Sequence, residues 1–494
     1  MKQILYTLLS LVLFSACTTE TVSNAKQETD QPQIYPDYLG VTIPVNIAPL
    51  NFSMTSEKAL LIDAVISDRH GNNIHSQGEE SVDFDIEDWH QLLDQNRGDS
   101  LNVTVSAKFE DGWHTYRPFY IYVSPDSIDY GICYRLIEPG YEVWSKMGIY
   151  ERDLSSFDEQ ALIENTQFEG CVNCHSFNRG NPDDMSLHIR GPHGATLLRQ
   201  NNGPITAYNT KTDQTLGFCV YPYWHPSGHY IAYSTNATSQ LFHSVSPNRI
   251  EVFDTASDLQ VYDIEKNELL LSPLLKNDSI YETYPVFSAD GRSLYFCAAR
   301  ALPEGSHQLD SIRYNLYRID FDPETGQFGN QIDIIVDAEA QHKSVSFPRP
   351  SYDGRYLCYT LSDYGQFSIW HHEADLWLLD LATGETRPMK EANSEDTESF
   401  HNWSTNSRWL VFSSRRDDGL FTRPYFCHVD AKGVVSKPFM LPQRNPRRFY
   451  RDRFMSFNVP DFIISPTHFD GHKASRIIND DYRKDFGVRQ IANQ

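Results

Sequence analysis

The chain has 494 residues, 40% of them hydrophobic, and a formal charge of −24 from 66 acidic and 42 basic side chains. This charge argues against nucleic acid as a partner, because a phosphate backbone requires a basic surface. After the amino-terminal segment, no run approaches the roughly eighteen consecutive apolar residues of a membrane-spanning helix. We therefore expect a soluble folded body.

Residues 1–16 have the layout of a signal peptide, with a lysine, an apolar core and small residues at the end. The segment LFSAC that ends at Cys17 resembles the lipobox of bacterial lipoproteins, in which the cysteine becomes lipidated. The resemblance implies a lipid anchor at Cys17, and Thr18 in place of an aspartate favours the outer membrane. Plain secretion is the alternative. Residues 17–34 are polar and aperiodic, which is typical of a tether.

Residues 35–139 show the alternation of apolar and polar side chains that is typical of strands. Leu101, Val103 and Val105, for example, alternate with polar residues. We expect a β-sandwich-like domain here.

A short helix is expected next, because Ser156 followed by Glu159 is a capping-box pattern. This helix, over residues 155–165, would lead into the sequence CVNCH, which we also expect to form a helical turn.

The run CVNCH has the attachment pattern of a c-type haem. In such a site Cys171 and Cys174 bond covalently to the haem, and His175 is the proximal iron ligand. A zinc site needs four ligands, and the chain has no second CxxC. A redox dithiol would usually lie near a βαβ pattern, which this region lacks. We therefore predict one covalent haem c, held by a short helical segment over residues 140–195.

Further haem contacts are predicted from the residues that follow. Met185 is the favoured distal ligand, His188 is the alternative, and an open distal position is a third interpretation. Arg190 carries a planar guanidinium that suits a haem propionate, although a surface salt bridge explains it equally well. Five other cysteines lie in apolar runs and are expected to be buried small hydrophobic residues. They are Cys133, Cys219, Cys297, Cys358 and Cys427.

Four later segments repeat one pattern, in which an aromatic-led strand reaches a polar turn and an apolar strand follows. They are residues 221–234, 284–297, 347–360 and 400–413. A four-stranded unit that recurs at this spacing predicts propeller blades. The pattern resembles the TolB-type (WD40-like) β-propeller repeat, best at residues 287–291. We predict five or six blades within residues 196–470, followed by a tail over residues 471–494, in a mainly β protein.

The segments GCVNCHSF, MSLHIRGPHG and FSSRRDDGLFTRPYF together resemble a group of exported lipoproteins that join one c-haem to TolB-like repeats. The group implies no established activity. The favoured function is electron transfer to or from a protein partner that docks on the propeller. A protein- or ligand-binding propeller with a structural or sensory haem is one alternative, and a haem-dependent oxidoreductase such as a peroxidase is another. No catalytic residue is assigned, and the expected location is the cell envelope, with the protein facing the periplasm or the cell surface.

Overall fold

The computed structural model describes residues 19–138, 146–303, 306, 308–480 and 482–491. The predicted signal peptide and Cys17 lie outside these residues, so both stay predictions. Within the described ranges the chain is mainly β, with three α-helices. None of the described helices is long and apolar enough to cross a membrane.

The amino-terminal domain is built on a seven-stranded sheet. Its elements are β1 (Lys26–Gln27), β2 (Ile34–Tyr35), β3 (Thr42–Ile43), β4 (Ser53–Met54), β5 (Leu61–Ser67), β6 (Asn73–Gly78), α1 (Ile86–Gln95), β7 (Ser100–Phe109), β8 (Gly112–Thr115) and β9 (Phe119–Val123). Strand β7 pairs with β5, β8 and β9, while β2 and β4 form a separate pair. The alternation in β7 buries Leu101, Val103 and Val105, as predicted. Helix α1 was not predicted; Asp85 caps its start, and Trp89 lies in the core.

The rest of the chain forms a propeller. The strands of its first half are β10 (Gly131–Ile137), β11 (Met147–Asp153), β12 (Glu159–Glu164), β13 (Cys171–Asn178), β14 (Asn181–Arg190), β15 (Ala195–Arg199), β16 (Thr206–Asn209), β17 (Val220–Trp224), β18 (Tyr230–Phe242), β19 (Ile250–Asp263) and β20 (Glu268–Leu271). The elements of its second half are β21 (Ile280–Phe287), β22 (Ser293–Arg300), β23 (Asn315–Asp322), β24 (Gln327–Val336), β25 (Ser344–Pro350), β26 (Tyr356–Ser362), β27 (Asp375–Asp380), β28 (Thr386–Pro388), β29 (Glu398–Trp403), β30 (Trp409–Ser414), β31 (Arg423–His428), β32 (Phe439–Met440), α2 (Pro446–Arg453), β33 (Ser456–Ile463), α3 (Gly471–Asn479), β34 (Lys484–Asp485) and β35 (Gly487–Gln490).

These strands form six blades. Blade 1 has the order β33-β10-β11-β12, so its innermost strand comes from the far end of the chain and closes the ring. Blades 2 to 6 start with the innermost strands β13, β17, β21, β25 and β29 and continue outward in sequence order. Strands β34 and β35 add parallel outer edges to blades 2 and 3. The predicted propeller fold is confirmed, with six blades among the described residues. Its predicted bounds are wrong, because the propeller begins at β10 and not at residue 196, and the predicted tail supplies β34 and β35.

The predicted helical segment around the haem motif is wrong. Residues 159–164 form strand β12, which pairs with β11. Ser156 accepts a hydrogen bond from the amide of Asp158 and so caps a turn, while Glu159 forms a salt bridge with Arg453. The CVNCH run lies in strand β13. Strand pairing overrides the local capping pattern, because residues 146–195 contribute strands to blades 1 and 2.

Candidate functional site: the axial cavity

A cavity of about 430 Å³ runs along the propeller axis between the six innermost strands. We call the end where these strands begin the N-terminal mouth; Arg190, Gln240 and Trp370 line it. We call the opposite end the C-terminal mouth; Ala289 and Tyr352 line it. One cavity therefore reaches both faces of the propeller.

A bulge interrupts every innermost strand halfway along its length. At each bulge one residue has a positive φ between 44° and 53°, a conformation that non-glycine residues adopt rarely. These residues, taken from blade 1 to blade 6, are Val459, Cys174, Tyr221, Tyr284, Phe347 and Phe400. We call this ring of six side chains the belt. Four of its members are aromatic and contact one another in turn, with ring centroids 4.6, 4.2 and 4.8 Å apart.

The belt reveals a signal that the sequence analysis missed. The four repeats begin at the belt residues with YPYW, YPVF, FPRP and FHNW. Cys174 begins CHSF and Val459 begins VPDF, which follow the same pattern with a smaller first residue. The last two residues of the haem motif, Cys174 and His175, are thus also the first two residues of a blade repeat. His175 occupies the position that His401 has in blade 6.

The charge of the cavity wall is opposite to that of the whole chain. Five arginines and only two acidic side chains, Glu138 and Asp461, line the cavity. The arginines are Arg135, Arg179, Arg190, Arg349 and Arg415. Burial raises the pKa of Asp461 to about 7, so this carboxyl is partly protonated near neutral pH. The cavity is therefore a positive region in a protein with a net charge of −24.

The cavity arginines are held by neutral groups. Arg135 donates to the side-chain oxygen of Asn173, and Arg179 and Arg349 donate to backbone carbonyls. Arg415 donates to the carbonyl of Ile369 and lies 3.5 Å from the ring centroid of Trp370. Within the described residues, no carboxylate lies at salt-bridge distance from any of the five. Arg415 is buried, Arg135 and Arg349 are half-buried, and Arg179 and Arg190 are exposed, so Arg415 is the member whose charge lacks both a carboxylate and full hydration.

Both thiols of the predicted haem motif line this cavity. Cys171 and Cys174 are 7% and 8% exposed and form no disulfide. Burial raises the pKa of the Cys171 thiol, although the nearby Arg135 and Arg190 oppose that shift. The five other described cysteines are buried, as predicted, and the structure shows that they are free. Of the predicted haem contacts, the structure thus places Cys171, Cys174, His175 and Arg190 on the cavity wall.

His175 borders the cavity, but its ring is committed to another contact. Its Nε2 donates to the backbone carbonyl of Cys133 in blade 1 at 3.3 Å, and burial lowers its pKa to about 4. His401 makes the same contact with the carbonyl of Cys358 in blade 5 at 3.0 Å. A nitrogen that carries a hydrogen for such a bond has no lone pair for a metal. Both rings therefore connect neighbouring blades.

The two candidate distal ligands lie on opposite faces of blade 2. Met185 packs with Phe177 and Leu187 in the apolar cluster shared with blade 1, on the face that carries the His175 ring. His188 lies on the face toward blade 3, where its Nδ1 is 3.1 Å from the hydroxyl of Thr196. Burial lowers the pKa of His188 to about 3, and its Nε2 has no hydrogen-bond partner.

A haem fits these residues only in part. The thiols and Arg190 share one cavity, but His175, Met185 and His188 do not converge on a common point there. Two axial ligands must approach an iron from opposite sides of the macrocycle, whereas Met185 and His175 extend from the same face of one sheet. The described residues also contain no cluster of three or more His, Cys, Asp or Glu side chains that would hold a metal ion. Neither proposed distal ligand therefore lines the cavity that holds the two thiols, and the open distal position is the interpretation that needs no further residue there.

A long hairpin from blade 3 covers part of the N-terminal mouth. Strands β18 and β19 have 13 and 14 residues, and the outer part of the hairpin lines the cavity through Gln240 and Val252. The hairpin reaches blade 5, where Glu251 accepts hydrogen bonds from Tyr364 and, at 3.0 Å, from Nε2 of His371. Burial alone would lower the pKa of His371, but Glu251 together with Glu373, 3.4 Å from Nδ1, raises it to about 9.

Comparisons with known proteins agree with the fold alone. Neither a family model nor a curated protein matches the chain. Among solved structures, TolB from Agrobacterium tumefaciens is 14% identical, with 68% of this chain and 99% of that chain covered and a TM-score of 0.39. A DUF4784 family protein from Bacteroides caccae is 10% identical, with coverages of 75% and 96% and a TM-score of 0.29. Sqt1 from Chaetomium thermophilum is 12% identical, with coverages of 85% and 89% and a TM-score of 0.33. Similarity at this level says nothing about function.

Proposed function

We propose that this protein is a binding module that takes an anionic organic ligand into the axial cavity. The observation that carries the proposal is the set of five cavity arginines without a carboxylate partner among the described residues. A charge buried without a partner loses its hydration without compensation, and this applies most to Arg415, which is 3% exposed. Arg135 and Arg349 are half-buried, whereas Arg179 and Arg190 are exposed. In a chain with 66 acidic side chains, a cavity wall that gathers these arginines without a carboxylate partner among the described residues favours an external anion.

The cavity wall also indicates what the ligand carries besides its charge. Guanidinium groups bind carboxylates and phosphates through two parallel hydrogen bonds. Tyr221, Phe347, Phe367 and Trp370 add apolar ring faces to the same wall. An organic anion with a flat or apolar part satisfies both features, whereas a bare inorganic ion would leave the rings without a contact.

Charged thiol reagents test the proposal without knowledge of the natural ligand. Cys171 lies among the arginines of the N-terminal mouth, so the local potential should control which reagent reaches it. We expect the anionic 2-sulfonatoethyl methanethiosulfonate to modify Cys171 about tenfold faster than the cationic trimethylammonioethyl reagent at low salt. The site of modification is identified by peptide mass mapping, and added salt should reduce the difference.

Two matched variants complete this test. Arg190→Gln should reduce the preference for the anionic reagent, while Arg447→Gln on helix α2, outside the cavity, should leave it unchanged. Equal rates with both reagents in the wild-type protein would contradict an anion-binding cavity.

Covalent haem is a second proposal, and the two cysteines that line the cavity support it. Arginines close to Cys171 suit the haem propionates. A covalently bound haem c would supply one-electron redox chemistry and would make electron transfer to a protein partner the function. Iron ligation through Nε2 would require the His175 ring to leave its contact with the Cys133 carbonyl, whereas Nδ1 has no hydrogen-bond partner in this structure.

Expression together with haem-maturation machinery distinguishes the two proposals. Covalent haem predicts a c-type spectrum that persists after denaturation and a changed attachment in Cys171→Ala. The binding-module proposal predicts free thiols at Cys171 and Cys174 and a colourless protein from the same cells. A colourless protein from cells that mature a control cytochrome would argue against haem.

We also propose that Cys17 is lipidated and holds the protein at the outer membrane, on the resemblance of LFSAC to a lipobox. Incorporation of labelled palmitate into the wild-type protein, and its loss in Cys17→Ser, is the expected result. An unlabelled wild-type protein would favour plain secretion instead.

A further inference from the structure

We infer that the ligand crosses the belt through a gap between Cys174 and Val459, and that these two side chains set the width of ligand that the cavity admits. This inference rests on the proposed binding function, since it concerns the same cavity. It gives Cys174 a role that requires neither haem nor thiol chemistry.

The cavity passes through the belt. Arg190 and Trp370 at the N-terminal mouth line the same cavity as Ala289 and Tyr352 at the C-terminal mouth. The belt lies between the two mouths, because its residues are at the midpoints of the innermost strands. Some part of the belt must therefore be open.

The opening in the belt lies where the row of aromatic side chains is interrupted. On one side of the axis, Tyr221, Tyr284, Phe347 and Phe400 form a continuous row of aromatic contacts. Tyr284, inside this row, does not line the cavity and is only 2% exposed.

Blades 1 and 2, which are neighbours, place Val459 and Cys174 at the two remaining belt positions. Both line the cavity. Their side chains are much smaller than the tyrosines and phenylalanines at the four other positions, so the row of rings is interrupted here.

The backbone conformation at Cys174 determines which side chains this position can hold. A bulky residue is ordinarily strained at positive φ. At this position, however, the fold already holds two phenylalanines and two tyrosines with φ between 50° and 53°. The φ of 44° at Cys174 is close to those values. Cys174→Phe is therefore compatible with the backbone, and its ring would extend the row of aromatic contacts into the gap.

The experiment is a fluorescence titration with 1-anilinonaphthalene-8-sulfonate, an aromatic anion, on the purified full-length protein. Cys174→Phe should weaken binding about tenfold or more, which is about 1.4 kcal/mol, because the phenyl ring would occupy the gap that the ligand needs. Val434→Phe, at an exposed valine outside the cavity, is the matched control and should bind as tightly as the wild type. Val459→Phe tests the other side of the gap and serves if Cys174→Phe fails to fold, which circular dichroism would reveal.

The outcomes separate this inference from the proposed function. Unchanged binding in folded Cys174→Phe and Val459→Phe would overturn the gap while leaving an anion site in place. Binding that is lost in Cys174→Phe but unaffected by Arg135→Gln and Arg190→Gln would support the gap and contradict the anion site. A wild-type protein that binds no probe would overturn both.

Discussion

Acidification should destabilise the propeller through its buried imidazoles, and His401 gives the cleanest measure of this effect. Burial lowers the pKa of His401 from 6.5 to about 3 in the folded protein, where Nε2 donates to the Cys358 carbonyl. Below about pH 6.5 the His401 imidazole therefore binds a proton in the unfolded chain but not in the folded protein. Stability is retained above that pH and is lost progressively as the pH falls toward 3. At about pH 5 the loss is about 2 kcal/mol, from roughly 1.5 pH units at 1.36 kcal/mol each.

The assay compares urea unfolding of the wild type and of His401→Asn at about pH 7.5 and about pH 5. Asparagine keeps a donor for the Cys358 carbonyl but does not titrate. The stability advantage of the wild type over the variant should shrink by about 2 kcal/mol on acidification. Buried carboxyls with raised pKa values, such as Asp254 and Glu282, act in the opposite direction but cancel in this difference. An advantage that does not change with pH would refute a neutral, buried His401.

The same measurement at His175 bears directly on the CVNCH motif. Burial lowers the pKa of His175 to about 4, so His175→Asn should show a pH-dependent difference similar to that of His401→Asn. This parallel is expected if both rings join neighbouring blades through a backbone carbonyl. A His175→Asn variant that instead changed a haem spectrum would contradict the equivalence.

Two further predictions concern the hairpin over the N-terminal mouth and a blade turn. The folded pKa of His371, about 9, lies above its unfolded value of 6.5 because Glu251 and Glu373 both favour the charged imidazole over its burial, so these pairs stabilise the protein below pH 6.5 and their contribution is lost as the pH rises through 9. The wild type should therefore lose about 2 kcal/mol relative to the double variant Glu251→Gln/Glu373→Gln between about pH 7 and about pH 10 in thermal melts, and parallel curves would contradict the pairing. A Cβ at Gly291, where φ is +73°, would lie 2.1 Å from Nε2 of His225, whereas Gly98, with φ +76°, has no atom within 4 Å of its added Cβ. Gly291→Ala should accordingly be less stable than Gly98→Ala by about 2 kcal/mol in urea unfolding, and equal losses would show that only the backbone conformation matters.

The repeats were predictable because a blade hairpin is a local structure. An aromatic-led strand, a polar turn and an apolar strand lie within about fourteen residues, so the pattern is visible in one window of sequence. The repeats of blades 3 to 6 follow this pattern directly, and the first residue of each repeat is one of the aromatic members of the belt. Blade 1 was not recognised, because β33 joins β10 from more than 300 positions away and nothing local encodes that pairing.

The candidate site shows the same division. The sequence identified Cys171 and Cys174 as a pair with chemical importance, and both line the axial cavity. It did not identify Arg135, Arg349 and Arg415 as members of a site, because they come from three different blades and only the closed ring brings them together.

By itself, then, the sequence determined the blade hairpins, the burial of the five other cysteines and the CxxCH spacing, since each depends on residue type and short separations. The tertiary structure alone decided that CVNCH forms a strand and that the His175 ring contacts blade 1. It also decided that five arginines share one cavity in an acidic protein. The physical reason is that strand pairing across the ring, and the burial it produces, determine which side chains meet and which partners they lack.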